Sequence, residues 1–352
     1  MIRCSGLSEH ILLLLKGFNR AFGSKRNKFG TILSAKELHG YYTPVSIVEW
    51  VRQKLVFVIR PRLEAALPCG AVFAPGLHIP TRFFQVINHG VSENLMNEIR
   101  NVMKEFFEMS DDYKQNLYSE DPTKKCKLIT SDQRYPNQKP YLWRDALRHP
   151  CRPLEPWQQF WPEKPTNYRE CVGNCTIEVK KLASRILGLI GEGLGLQAGY
   201  FDNELTESML LSASYYPPCP EPSLTLGLPK HADPNIVTIL LQNDVYGLQV
   251  LKDGNWIGVD PLPNAFVVNC GYELQIISNG RLKSVQHRVI TNSSNARITA
   301  AFFVAPLEGA IIEPAKALTN QIHPPLFKSV KSKDFLTQYY ASSDTVLQYF
   351  KA

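Results

Sequence analysis

The sequence predicts a mixed α/β fold: a double-sheet jelly roll (a double-stranded β-helix) buttressed by N-terminal helices. Three observations predict it: two long stretches of helical period before residue 207, a change to period two after it, and turn signals at short intervals from there on. The 352 residues are 44% hydrophobic, enough for a large core, and 25 prolines with 15 tyrosines argue against a pure helical bundle.

The first helix follows Ser92, a capping residue. Leu95, Met96, Ile99, Val102, Met103, Phe106 and Phe107 recur at three- and four-residue steps and form one apolar stripe. The second helix follows Pro165: Tyr168, Val172, Cys175, Val179, Leu182, Ile186, Ile190 and Leu194 keep the period for about 30 residues, to Gly193 and Gly195. Aromatic and Met positions in both stripes are read as packing. Beyond residue 207, Leu248 to Leu251 and Trp256 to Val259 flank Lys252-Asp253-Gly254-Asn255, and Leu274 to Ile277 and Ser284-Val285 flank a segment containing Asn279-Gly280. Both read as hairpins. A further strand is expected over Ser284 to Ile290. The resulting organisation is a basic, unassigned segment at 1–80, a helical support region at 81–206 and the jelly-roll domain at 207–352.

The formal charge of +7 lies wholly in residues 1–80, with eleven Lys or Arg against four Glu, which leaves 28 basic and 28 acidic residues in the remainder. No basic stripe marks the body, so nucleic-acid binding is not expected. The eight cysteines form no C-x-x-C pair and read as reduced thiols of a cytoplasmic protein. The apolar run Ile11 to Leu15 is too short for a signal-peptide core, and no segment reaches membrane-spanning length. Six Lys or Arg against Glu9 in the first 30 residues leave an organelle transit peptide as the alternative. The expected protein is a monomer acting on a small molecule, with no membrane partner.

His231 and Asp233 stand two residues apart, so in an extended strand both side chains leave one face, about 7 Å apart at the backbone. A His-x-Asp arises by chance in about one chain in four of this composition, so a third ligand is required. His287 supplies it from a neighbouring strand. Two His and one carboxylate with three open positions is the facial arrangement of non-haem Fe(II) oxygenases. His10, His39, His78, His89, His149 and His323 have no such partners and read as core or surface residues. Ten residues after His287, alternation sets Arg297, Thr299, Ala301 and Phe303 on one face and Ile298, Ala300 and Phe302 on the other. The first face suits a pocket wall for a dicarboxylate and an organic substrate, the second a core.

Phe84-Gln85-Val86-Ile87-Asn88-His89-Gly90-Val91, Tyr215-Tyr216-Pro217-Pro218-Cys219-Pro220, His231-x-Asp233, Gly247-Leu248-Gln249-Val250, His287-Arg288-Val289 and Arg297-x-Thr299 occur in that order. In order and spacing they resemble the plant Fe(II)- and 2-oxoglutarate-dependent dioxygenases of specialised metabolism, over about residues 83–350. The flavour is similar to hyoscyamine 6-hydroxylase-like and downy-mildew-resistance-like members, with an isopenicillin N synthase-like fold. The resemblance implies that His231, Asp233 and His287 ligate Fe(2+). It implies that Arg297 and Thr299 hold the distal carboxylate of 2-oxoglutarate, that Tyr216 adds a hydrogen bond from its phenol, and that Phe303 faces the substrate. The implied chemistry uses O2, converts 2-oxoglutarate to succinate and CO2, hydroxylates a small metabolite and is supported by ascorbate. The segment Lys127 to Trp143, the strand bearing Phe303 and the helix near Phe335 to Tyr340 are expected to line the pocket.

Three departures from the family pattern stand out. Thr299 replaces the usual Ser, Ser214 the frequent Asn, and residues 1–80 lack the family's opening strand and helix, with Arg82 where Gly normally precedes Phe83. They keep two alternatives in view: an inactive or unstable relative with a disrupted N-terminus, and a metal hydrolase.

Overall fold

The computed structural model describes residues 56–58, 61–63, 83–119, 121, 123–130, 141–342 and 345–352. Thirteen strands form its two main sheets: β1 (Val56–Val58), β2 (Pro61–Leu63), β3 (Phe83–Ile87), β4 (Lys127–Thr130), β5 (Asp145–Arg152), β6 (Ser208–Tyr216), β7 (Leu228–His231), β8 (Val237–Gln242), β9 (Leu248–Lys252), β10 (Asn255–Val259), β11 (Phe266–Cys270), β12 (His287–Val289) and β13 (Arg297–Ala305). The large sheet runs β1-β3-β11-β8-β13-β6-β5-β4, and the small sheet β2-β10-β9-β12-β7. This is the double-sheet architecture expected. Strands β3, β4 and β5 come from the region read as helical support, so that region also extends the large sheet.

Helix α1 (Glu93–Glu108) begins where expected, with the Ser92 hydroxyl accepting from the Leu95 N–H at 3.2 Å. Met96, Ile99, Val102, Met103, Phe106 and Phe107 are buried along one stripe. Helix α2 (Tyr168–Leu194) spans 27 residues and ends at Gly195, whose φ of 75° is the left-handed value that favours glycine. Both helices pack on β13 and bury one face of the large sheet in the principal core, where Leu211, Ile239, Phe266 and Phe302 lie. A smaller cluster of Phe83, Tyr216, Leu248, Val250, Val259, Val267 and Val289 fills part of the space between the sheets.

The first expected hairpin is present: β9 and β10 pair around Asp253 and Gly254, both at positive φ. The second is not. Leu274 to Ile277 belongs to helix α3 (Tyr272–Ile277), and Asn279 and Gly280 close that helix. The Gly280 N–H donates to the Gln275 carbonyl at 2.8 Å. Tyr272, Glu273, Leu274, Ile276 and Ile277 are all buried, so the segment has no polar face to betray its period, and a positive-φ Asn-Gly suits a helix end as well as a hairpin. The strand expected over Ser284 to Ile290 is confined to His287–Val289.

Most of the basic segment 1–80 lies outside the described residues, as do His10, His39, His78, Cys4 and Cys69. Two short pieces of its backbone are strands, with β1 antiparallel to β3 and β2 antiparallel to β10. Among the described residues, no helix is long and apolar enough to cross a membrane. Cys126, Cys151, Cys171, Cys175, Cys219 and Cys270 are free and buried, consistent with reduced thiols.

Candidate metal centre

Strands β7 and β12 pair so that His231 and His287 are direct partners, which sets the two imidazoles side by side with ring centroids 4.2 Å apart. Asp233 follows two residues after His231. Its Oδ1 lies 3.5 Å from His231 Nε2 and 3.7 Å from His287 Nε2. One ligand atom from each residue falls within 4.8 Å of the others, a spacing one metal ion spans. The predicted triad is thus assembled.

Backbone carbonyls aim the imidazoles. His231 Nδ1 is 2.9 Å from the Pro229 carbonyl and His287 Nδ1 is 3.1 Å from that of Val285, so each Nδ1–H donates backward and each Nε2 lone pair faces Asp233. The carboxylate is aimed in the same way. Thr238 Oγ1 and Asn269 Nδ2 donate to Asp233 Oδ2 at 2.6 and 2.7 Å, which leaves Oδ1 for a metal. Burial alone would raise the Asp233 pKa. The attraction of His287 and His231 and the Thr238 hydrogen bond outweigh it and hold the carboxyl below its usual range. Burial, followed by His231, pushes His287 down to about 4, so a neutral imidazole faces an ionised carboxylate. Two imidazole nitrogens and one oxygen anion, open on one side to a cavity, fit divalent iron.

The ligand segment is braced from behind. Tyr272 N–H donates to the Asp233 carbonyl at 2.8 Å, and a Cβ on Gly271 would lie 1.8 Å from the Asn235 carbonyl oxygen, so only glycine allows α3 to approach this closely. From helix α4 (Ser332–Ala341), the Tyr339 hydroxyl donates to the Ala232 carbonyl, between the two ligands, at 2.9 Å.

The cavity facing the triad has about 530 Å³ of empty space, part of it open to solvent, and its walls include Tyr216, Arg297, Thr299 and Phe303. Arg297 is 1% exposed. Its Nη2 donates to Gln242 Oε1 at 2.8 Å, and its guanidinium carbon sits 5.3 Å from the centre of the Tyr216 ring. Gly247 makes room for it, since a Cβ there would lie 2.9 Å from Arg297 Cδ. Among the described residues no carboxylate pairs with this guanidinium, and its Nε has no hydrogen-bond partner. A buried cation with an orphaned donor fits a ligand carboxylate.

Thr238, Gln242, Asn269 and Arg144 belong to the site and were not among the expected residues. Alternation in Val237–Gln242 does put Thr238 and Gln242 on one face, but nothing in it names their partners. The helix near Phe335 to Tyr340 is not a wall of the cavity: Phe335 is fully buried in the principal core, and Tyr340 is 53% exposed. Apolar character marked these positions, but their helix turns toward the core. Of the Lys127 to Trp143 segment, residues 131–140 lie outside the described residues. His89 and His149 are structural, bonded to the Asn264 carbonyl and the Tyr168 hydroxyl respectively.

Comparisons with known proteins agree with this geometry. Residues 207–306 match the family model of the 2OG-Fe(II) oxygenase superfamily, and residues 82–167 match that of the non-haem dioxygenase in morphine synthesis N-terminal. The chain is 43% identical over 267 residues to hyoscyamine 6-dioxygenase of Hyoscyamus niger, covering 73% of this chain and 77% of that one. It is 43% identical over 264 residues to Protein DOWNY MILDEW RESISTANCE 6 of Arabidopsis thaliana, covering 74% and 77%. Among solved structures, JOX2 in complex with 2OG, Fe and JA superposes with a TM-score of 0.69 at 33% identity, over 77% of this chain and 82% of that one.

Proposed function

Because the chain belongs to the 2-oxoglutarate–Fe(II) oxygenase superfamily, we propose that it hydroxylates a small plant specialised metabolite, coupled to decarboxylation of 2-oxoglutarate to succinate. The family fixes the coarser statement: the chain is a dioxygenase that uses Fe(II), 2-oxoglutarate and O2. The finer one rests on the converging triad of His231, Asp233 and His287, the observation that carries this reading. Relatives named for hyoscyamine and for a flavanone, and a structure holding JA, support a small organic substrate.

The roles follow from contacts. His231, Asp233 and His287 would hold the iron, with Thr238 and Asn269 keeping one carboxylate oxygen turned away from it. Iron held there supplies the redox chemistry that couples loss of CO2 from 2-oxoglutarate to oxidation of a substrate C–H bond. Arg297 would neutralise the distal carboxylate of 2-oxoglutarate, oriented by Gln242, with Thr299 and Tyr216 adding hydroxyls. Leu240, Ala301 and Phe303 give the same cavity apolar surface for the substrate and against water.

Succinate formation by purified protein with Fe(II), ascorbate and 2-oxoglutarate, across a panel of small metabolites, tests the proposal. His231→Ala, Asp233→Ala and His287→Ala are each expected to abolish it while circular dichroism stays like that of the wild type. Wild-type turnover in any one of them removes that residue from the ligand set, and succinate release independent of 2-oxoglutarate overturns the reading.

A further inference from the structure

The back of the small sheet carries a polar network behind the iron triad. Strand β12 is only three residues long, and alternation puts His287 and Val289 on the cavity side and Arg288 on the other. Its pairing with β7 is interrupted. His287 faces His231 and Val289 faces Leu228, so two residues of β7, Pro229 and Lys230, oppose Arg288 alone, which is a bulge. Proline has no N–H to give the ladder, and the next bond on this side comes only beyond the bulge, from the Gly227 N–H to the Val289 carbonyl at 2.8 Å. Among the described residues β7 also ends its sheet. The alignment of the ligand strand therefore depends on its other neighbour, β9.

On that side, side chains reinforce the backbone ladder. Gln249 of β9 is the direct partner of Arg288, and the Arg288 Nε donates to Gln249 Oε1 at 2.7 Å. The guanidinium carbon also lies 4.2 Å from the centre of the Trp256 ring on β10, so one side chain ties three strands together. Gln249 is 1% exposed, and its Nε2 donates to the Tyr246 hydroxyl at 3.2 Å. Opposite Gln249 on β10 stands Gly258, where a Cβ would run into the Tyr246 ring, so the glycine makes room for the network. A buried amide bonded at both ends fixes the arginine that it holds. The residue before that arginine is His287.

We propose that Arg288 is a positioning residue for the metal: clamped to Gln249 and Trp256, it holds β12 in register with β9 and so keeps His287 Nε2 in its place beside Asp233 and His231. The inference rests on the ligand assignment above and adds to it a residue that lies on the opposite face of the sheet from the cavity.

The test is anaerobic titration of the full-length, metal-stripped protein with Co(II), whose visible absorption bands report the arrangement of its ligands. Arg288→Met and Gln249→Leu, which remove the clamp, are each expected to weaken Co(II) binding about tenfold and to alter the bands. Arg288→Lys keeps a cation over Trp256 but loses the Nε–H, and is expected to fall between these variants and the wild type. Gln249→Glu keeps an acceptor for Nε and is expected to stay within about twofold of the wild type. Leu182→Ala, a cavity in the principal core far along α2, is the control for lost stability alone and is expected to leave Co(II) affinity and bands unchanged. Wild-type affinity and bands in Gln249→Leu and Arg288→Lys, or an equal loss in Leu182→Ala, overturn the inference, and these variants decide it even where Arg288→Met does not fold. Wild-type protein that binds no Co(II), or Co(II) binding untouched by His287→Ala, instead overturns the ligand assignment.

Discussion

On one side of strand β13, Ala300, Phe302 and Val304 sit in the principal core beneath α1 and α2; on the other, Arg297, Thr299, Ala301 and Phe303 line the cavity. Neighbouring residues of one strand thus meet opposite demands. The helix side is held by volume and by exclusion of water, so its cost of change is a stability cost. On the cavity side a buried guanidinium has, among the described residues, no carboxylate against it and an unpartnered Nε, an arrangement that is expensive until a ligand completes it. Stability and ligand recognition are therefore separable by substitutions one residue apart.

Phe302→Ala and Phe303→Ala break the comparison most sharply. Phe302 is fully buried, and its truncation is expected to cost about 3–5 kcal/mol in urea unfolding. Phe303→Ala should cost much less stability and act on substrate KM. Equal losses of stability would show that the cavity wall is as tightly packed as the core.

Glu273 tests the apolar side by charge. It is fully buried in α3, where burial pushes its carboxyl up to about 8 against the lowering effect of the Ser332 hydrogen bond. In the unfolded chain the carboxyl ionises near pH 4.5, the ordinary value, so between that pH and 8 the folded state keeps a proton the unfolded state has lost. The stability contribution is full below the lower value and declines as pH rises through the window. Wild type is expected to lose about 2–3 kcal/mol relative to Glu273→Gln between roughly pH 6 and 8.5. Parallel stability–pH curves for the two proteins would sink this assignment.

Smaller effects belong to the cavity side. Arg297→Lys keeps the charge but loses the two-pronged donor and the contact with Tyr216, so the apparent KM for 2-oxoglutarate should rise roughly ten- to a hundredfold. Thr299→Ala, which removes one neutral hydroxyl, should raise it about fivefold, with Thr299→Ser almost silent. Steady-state kinetics with 2-oxoglutarate varied measures both. A stronger effect at Thr299 than at Arg297 would mean that the distal carboxylate is held elsewhere.

What the sequence made legible follows the same division. Helices α1 and α2 and the alternation of β13 were readable because each has one apolar and one polar face, so period and burial coincide. Leu274 to Ile277 reads as a strand because the helix that holds it, Tyr272–Ile277, is buried nearly throughout and offers no contrast between its faces. The iron triad was legible because ligand chemistry restricts residue types. Its supports were not: Thr238, Asn269 and Gln242 are ordinary strand residues until the fold sets them against Asp233 and Arg297. Arg144, just before β5, carries no mark in the sequence that sets it apart from a surface arginine.

The hydrogen bond from Tyr339 to the Ala232 carbonyl gives the site a position in time. A chain leaves the ribosome from its N-terminus, and domains generally fold as units as they emerge. Here the peptide between two iron ligands is braced by Tyr339, 107 residues further along the chain than Ala232. In chain order α1, α2 and every strand of the large sheet but β13 precede His287, and α4 follows it. The ligand segment is thereby tied to helix α4, and removal of the Tyr339 hydroxyl takes away the brace on the peptide between two ligands.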